Sequence, residues 1–174
     1  MKKSFIVTLA FAIVSIIAIP TLAQDQRKPS TPQDREMAVK VARVLETEPF
    51  HKEAKKMREW LLLWLIDVPD IHVELCSAYM APEKPSDKNY GSEIFNQTMF
   101  SSAAYIIEHP EQANDRIAVH LAGVEGALKV YETVLATKPK AKSAFYDGLL
   151  EKRNKGELRA FVEDATNTKC KSKS

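Results

Sequence analysis

The stretch IAVHLAGVEGALKVYETVL, residues 117–135, decides the fold. Its apolar residues Ile117, Leu121, Val124, Leu128, Tyr131 and Leu135 recur at steps of 4, 3, 4, 3 and 4. That is the seam spacing of an antiparallel helical bundle. Asp115 stands where a carboxylate can cap the first turn and Pro139 ends the pattern, so the spacing predicts a helix over 115–137. Gly123 and Gly126 each lower helix propensity by ~1 kcal/mol relative to alanine. Their presence predicts a neighbouring helix that comes close at that point.

Working towards the N-terminus, Pro110 to Asn114 turns the chain, and a helix is expected over 92–108 with Phe95, Met99, Ala103 and Ile106 on one face. Its Ser101-Ser102-Ala103-Ala104 run would admit a close neighbour. Ala81 to Gly91 reads as a loop. The 71–80 segment alternates Ile71, Val73 and Leu75 with His72, Glu74 and Cys76, but no second strand is available to pair with it. A short helix or an extended segment is expected there. A helix starting near Glu48-Pro49 carries Phe50, Ala54, Met57, Leu61, Trp64, Leu65 and Val68 at helical spacing, and Trp60 to Ile66 is wholly apolar. That run predicts a helix covered nearly all round, the centre of the core, with Trp60 and Trp64 as core aromatics. Before it, Thr31, Pro32, Asp34 and Glu36 announce a helix start, followed by the stripe Met37, Val41, Val44 and Leu45. Towards the C-terminus, a helix over 141–154 stops at Gly156 and a short one spans 157–165. With five glycines and no sustained β-branched alternation, a barrel or sandwich is excluded. The expectation is an all-α single domain of about five or six helices, packed as an antiparallel bundle or as helical hairpins.

The first 23 residues follow export-signal grammar. Lys2-Lys3 precede an apolar run from Phe5 to Ile19, and Ala23 closes a small-residue cleavage site. A predominantly apolar run of fifteen residues falls short of the ~20 that a spanning helix needs. The predicted organisation is therefore a cleavable signal peptide at 1–23, a flexible polar linker at 24–30, a helical domain at 31–166 and a basic polar tail at 167–174. A periplasmic or secreted location is expected, with no stable membrane insertion after cleavage.

The whole chain has 25 basic and 23 acidic residues, and removing Lys2 and Lys3 with the signal brings the balance to zero. No nucleic-acid partner is expected of such a chain. The charge is uneven, however: 138–174 holds 10 basic and 5 acidic residues, and 24–137 holds 13 and 18. The basic end would suit an anionic surface, or simply the acidic remainder of the same domain.

Residues His72, Glu74 and Cys76 would project from one face if their segment is extended, and all three are zinc-ligand types. They make the candidate for a metal- or thiol-dependent enzyme. The competing use of Cys76 is a disulfide with Cys170, the only other cysteine, as export to an oxidising compartment favours. No His-Glu-x-x-His, Gly-x-Ser-x-Gly, Gly-x-Gly-x-x-Gly or Cys-x-x-Cys-His is present. No cofactor is expected on this reading.

Gly126-Ala127, Tyr131, Pro139, Phe145, Gly156 and Phe161 resemble the second helix of a tetratricopeptide repeat running into the first helix of another, over about 36 residues. The resemblance implies an adaptor for protein–protein interaction with a concave groove. Val134 and Leu149 stand where that family has a small residue and a glycine. Three functions are thus on the table. The leading expectation is a non-enzymatic binding or structural protein of a bacterial-type cell envelope, with an unknown protein or envelope component as partner. The tetratricopeptide-like adaptor and the enzyme built on His72, Glu74 and Cys76 are the alternatives.

Overall fold

The computed structural model describes residues 27–86 and 88–170. The predicted signal peptide, residues 24–26 of the linker and residues 171–174 of the tail lie outside the described residues. Those described form six α-helices and no strand: α1 (Pro32–Thr47), α2 (Ala54–Asp67), α3 (Gly91–Glu108), α4 (Arg116–Thr137), α5 (Ala144–Asn154) and α6 (Leu158–Thr168). The all-α expectation holds.

The helix ends obey local chemistry. Asp34 N–H donates to Thr31 Oγ1 at 3.2 Å and Thr31 N–H donates to Asp34 Oδ2 at 3.0 Å, a reciprocal capping box. Asp115 Oδ1 accepts from the N–H groups of Ile117 and Ala118, both at 3.0 Å, satisfying two orphan donors of α4. Gly156, at φ +74°, lets Glu157 N–H reach the Lys152 carbonyl at 2.8 Å and closes α5.

The centre of the core is α4, not α2. Val124, Leu128 and Tyr131 of the predicted seam are buried, while Ile117, Leu121 and Leu135 are partly so. Ala118, Val119, His120, Ala127, Val130 and Val134, off that seam, are buried too. Neighbours therefore surround α4 on most sides: α3 most extensively, then α6, α1 and α5. On α2 only Ala54 and Leu61 are buried. Its apolar run lies at the edge of the bundle, since seven contiguous apolar residues span nearly two turns and only one face meets α1 and α3.

The α3–α4 crossing explains the glycines. A Cβ on Gly123 would stand 2.7 Å from the Thr98 carbonyl oxygen, and one on Gly126 would overlap the Ser101 side chain. Ser102 donates across the crossing to the Val119 carbonyl at 3.1 Å. Beside it runs a buried polar chain. Gln97 Nε2 donates to the Ala42 carbonyl at 3.0 Å and to Ser101 Oγ at 2.9 Å, and Ser101 donates to Glu46 at 2.7 Å. Glu46, 2% exposed, also pairs with Arg43 at 2.5 Å and Lys129 at 2.9 Å. The buried carboxylate is tolerable because both its oxygens accept from these donors.

Residues 71–76 are extended and lead into a single 3₁₀ turn at Ser77–Tyr79. Helix α6 runs to Thr168, three residues past its expected end, because Tyr79 holds it. The Tyr79 hydroxyl lies 3.0 Å from the Val162 carbonyl and 2.7 Å from the Thr166 hydroxyl. Positions 167 and 168, read as tail, therefore belong to the helix. Ser30, read as linker, is clasped: its N–H and hydroxyl donate to Asp70 at 2.9 and 2.8 Å, and Arg35 pairs with the same carboxylate at 2.6 Å. Burial pushes the Asp70 carboxyl up, but the Ser30 donors and the Arg35 guanidinium outweigh it and hold it at about 2.

Candidate functional site

The structure takes Cys76 out of the predicted enzyme site and leaves His72 and Glu74 on the wall of one cleft. Cys76 is joined to Cys170 across 94 positions, with Cα atoms 5.2 Å apart, and both cysteines pack into the main apolar cluster around α4. A bridged sulfur is neither a nucleophile nor a ligand. The Glu74 carboxylate is engaged by Arg116 in a two-pronged pair, both contacts at 2.7 Å, and Arg116 also donates to the Cys170 carbonyl. Arg116 thereby holds the Glu74 carboxyl below its usual range. The exposed His72 makes none of these contacts. The arrangement latches α4 to the C-terminus.

His120 of α4, which the sequence reading passed over, completes this corner. It is 2% exposed and packs on the Tyr79 ring at 5.2 Å. Its Nε2 has no hydrogen-bond partner and lies 3.7 Å from Glu74 Oε2, beyond hydrogen-bond reach. Burial pushes the imidazole pKa down, against the pull of Glu74. His72, Glu74, Arg116 and His120 line one cleft of about 420 Å³. Among the described residues, no three His, Cys, Asp or Glu side chains are placed to hold a metal ion. The one signal in the sequence was a lone imidazole inside the apolar helix, four residues after Arg116.

A second surface has the character of a binding face. Leu63 is 57% and Ile66 59% exposed on α2, and Leu75, 53% exposed, lines a pocket together with Ile66. Trp60 and Trp64 stack at 6.1 Å with an interplanar angle of 14°, and Trp60 is open to solvent rather than in the core. Between α1 and α2 runs a groove of about 590 Å³, floored by Met37, Val41, Met57 and Trp60, with Asp34 on one rim and Lys56 on the other. Large apolar side chains that cluster in water mark interaction sites far more often than scattered ones do.

In the stretch that resembles a tetratricopeptide hairpin, Gly126 faces Ser101 of α3, and Tyr131 packs on Tyr146 at 5.2 Å. These residues serve the core. Comparison with family models, curated proteins and solved structures finds no match.

Proposed function

We propose that this chain is an exported binding protein of the cell envelope that holds an amphipathic helix of a partner protein in the groove between α1 and α2. The observation that carries the reading is the groove itself. Two helices present the adaptable side chains Met37 and Met57 and the flat Trp60 along a channel with one acidic and one basic rim. A partner helix with apolar residues at i, i+3, i+4 and i+7 fills such a channel, and its own charges would meet Asp34 and Lys56 with opposite sign.

The export part of the reading rests on the 1–23 segment and on the cysteines, since a Cys76–Cys170 bridge persists in an oxidising compartment. Among the described residues no helix is long and apolar enough to cross a membrane.

The test is an affinity capture from envelope extract with the chain as bait, run beside a Met37→Glu/Trp60→Glu variant. Both positions are open to solvent, so the variant should keep the wild-type circular dichroism and melting temperature. Partners held by the wild type and lost by the folded variant support the groove. An identical set of captured proteins would remove it.

A further inference from the structure

We infer that the Met37 thioether in the α1–α2 groove is an oxidation site, and that its conversion to the sulfoxide by a peroxide releases the partner helix. The inference rests on the groove being the binding face.

The inventory of sulfur atoms is the first observation. The chain holds two cysteines and five methionines. Both cysteines are engaged in the buried Cys76–Cys170 bridge, so no thiol competes for an oxidant. Of the four methionines among the described residues, Met57 and Met99 are partly buried against the apolar cluster shared by α1, α2 and α3. Met80 is 39% exposed and Met37 49%. A thioether has no proton to lose, so access of the oxidant decides which one reacts, and Met37 is the most open sulfur on the described surface.

Position is the second. Ala38, Val41, Ala42 and Leu45 turn the buried face of α1 into the cluster, while Met37, half exposed, stands outside it and lines the groove with Met57 and Trp60. An oxygen added to Met37 therefore leaves the interior as it was. The same addition to Met57 would carry a dipole into packed apolar side chains. The groove places its most reactive sulfur where modification changes binding and spares the fold.

The chemistry closes on itself. The sulfur lone pair attacks one oxygen of the peroxide, and the S–O bond forms as the O–O bond breaks. The departing hydroxide takes the proton carried by the transferred oxygen and leaves as water. Sulfur is oxidised and the peroxide reduced. The product is a polar, chiral side chain with a strong acceptor in place of a flexible apolar one. Beneath a partner helix that oxygen would face leucine-type side chains, which offer no donor, so closing the groove over it strands a desolvated acceptor. On the export reading, the chain works outside the reducing thiol pool that keeps sulfur reduced inside cells.

The experiment titrates the folded, disulfide-bonded chain with hydrogen peroxide and locates the added oxygen by peptide mass spectrometry. Met37 should be modified before Met80, Met57 and Met99, with the melting temperature unchanged at that stage. A fluorescent synthetic amphipathic helix, with leucine at i, i+3, i+4 and i+7 and glutamate and lysine elsewhere, is the probe of the groove. Oxidation of Met37 should weaken its binding by about tenfold, the effect of one buried acceptor left unpaired. Met37→Leu should bind the probe equally before and after the same dose of peroxide. Met37→Gln, which places a polar group there without an oxidant, should bind weakly from the start, and Met80→Leu should respond as the wild type does. If the untreated wild type does not bind the probe, the groove reading falls and this inference with it. If it does bind, the inference alone is overturned when Met80 reacts before Met37, when oxidised Met37 leaves the affinity unchanged, or when Met37→Leu loses binding on oxidation as the wild type does.

Discussion

Gly126 of α4 lies so close to Ser101 of α3 that a Cβ on the glycine would overlap the serine hydroxyl and stand 3.0 Å from Glu46 Oε1. The crossing thus depends on hydrogen where every other residue carries carbon. In Gly126→Ala the gain of ~1 kcal/mol in helix propensity is set against ~1–3 kcal/mol of overpacking. The expected result is a net loss. Gly148→Ala in α5, where nothing lies within 4 Å, should instead gain stability by ~0.5–1 kcal/mol. Urea denaturation of both variants tests the contrast, and a Gly126→Ala protein as stable as the wild type would show that the helices can separate there.

Glu46→Ala takes the acceptor from the buried Ser101 hydroxyl and breaks the Gln97–Ser101–Glu46 chain. The expected loss is about 1–3 kcal/mol, since Arg43 and Lys129 can turn to water. Glu151→Ala, which removes a surface pair with Lys155, should leave the melting temperature where it was.

The Ser30–Asp70–Arg35 clasp should weaken in acid. Folding lowers the Asp70 pKa from 3.8 to about 2, so its contribution is complete above about pH 4 and is lost as pH falls towards 2. Melting temperatures from pH 5 to 2 should fall less steeply in Asp70→Asn than in the wild type. Parallel curves would deny Asp70 this role.

His120 acts in the same direction at higher pH. Burial lowers its pKa from 6.5 in the fold, so below about pH 6.5 the unfolded chain takes up a proton that the folded one resists, and stability declines. Glu74 and Arg116 both face the ring and are already paired with each other, which leaves the imidazolium poorly compensated. His120→Phe should flatten the stability profile between pH 6.5 and 5. Proton uptake on unfolding, followed by calorimetry in buffers of different ionisation enthalpy, gives an independent reading.

Reduction of the Cys76–Cys170 bridge frees a loop of 94 positions, worth ~4–5 kcal/mol in the chain-entropy model. Cys76→Ser/Cys170→Ser should melt well below the oxidised wild type and match the reduced one. Equal melting temperatures in both redox states would place the two sulfurs apart in solution.

Helix existence was legible because caps and periodicity are local. Thr31, Asp115 and Gly156 act within a turn of their own position, and the structure uses each as its residue type suggests. Which helix lies at the centre was not legible. Trp60 to Ile66 is more apolar than any stretch of α4, yet burial is decided by how many neighbours arrive, and α4 receives four. The glycines and small residues of 101–104 and 123–126 were the better guide, since close approach selects for lack of volume. His72, Glu74 and Cys76 looked equivalent under strict alternation. Their different fates follow from long-range partners, Arg116 and Cys170, which lie 42 positions from Glu74 and 94 from Cys76.

The bridge also determines how the molecule responds to tension. A pull applied at residues 27 and 170 reaches Cys76 directly through the sulfurs, so α3, α4, α5 and α6 lie inside a covalent bypass that carries no load. Only α1, α2 and the 71–76 segment can be drawn out, to at most ~3.5 Å for each of about fifty residues. In the oxidised state, threading from the N-terminal side, as an unfoldase or a translocation pore would attempt, therefore unravels the α1–α2 pair and then meets a closed loop.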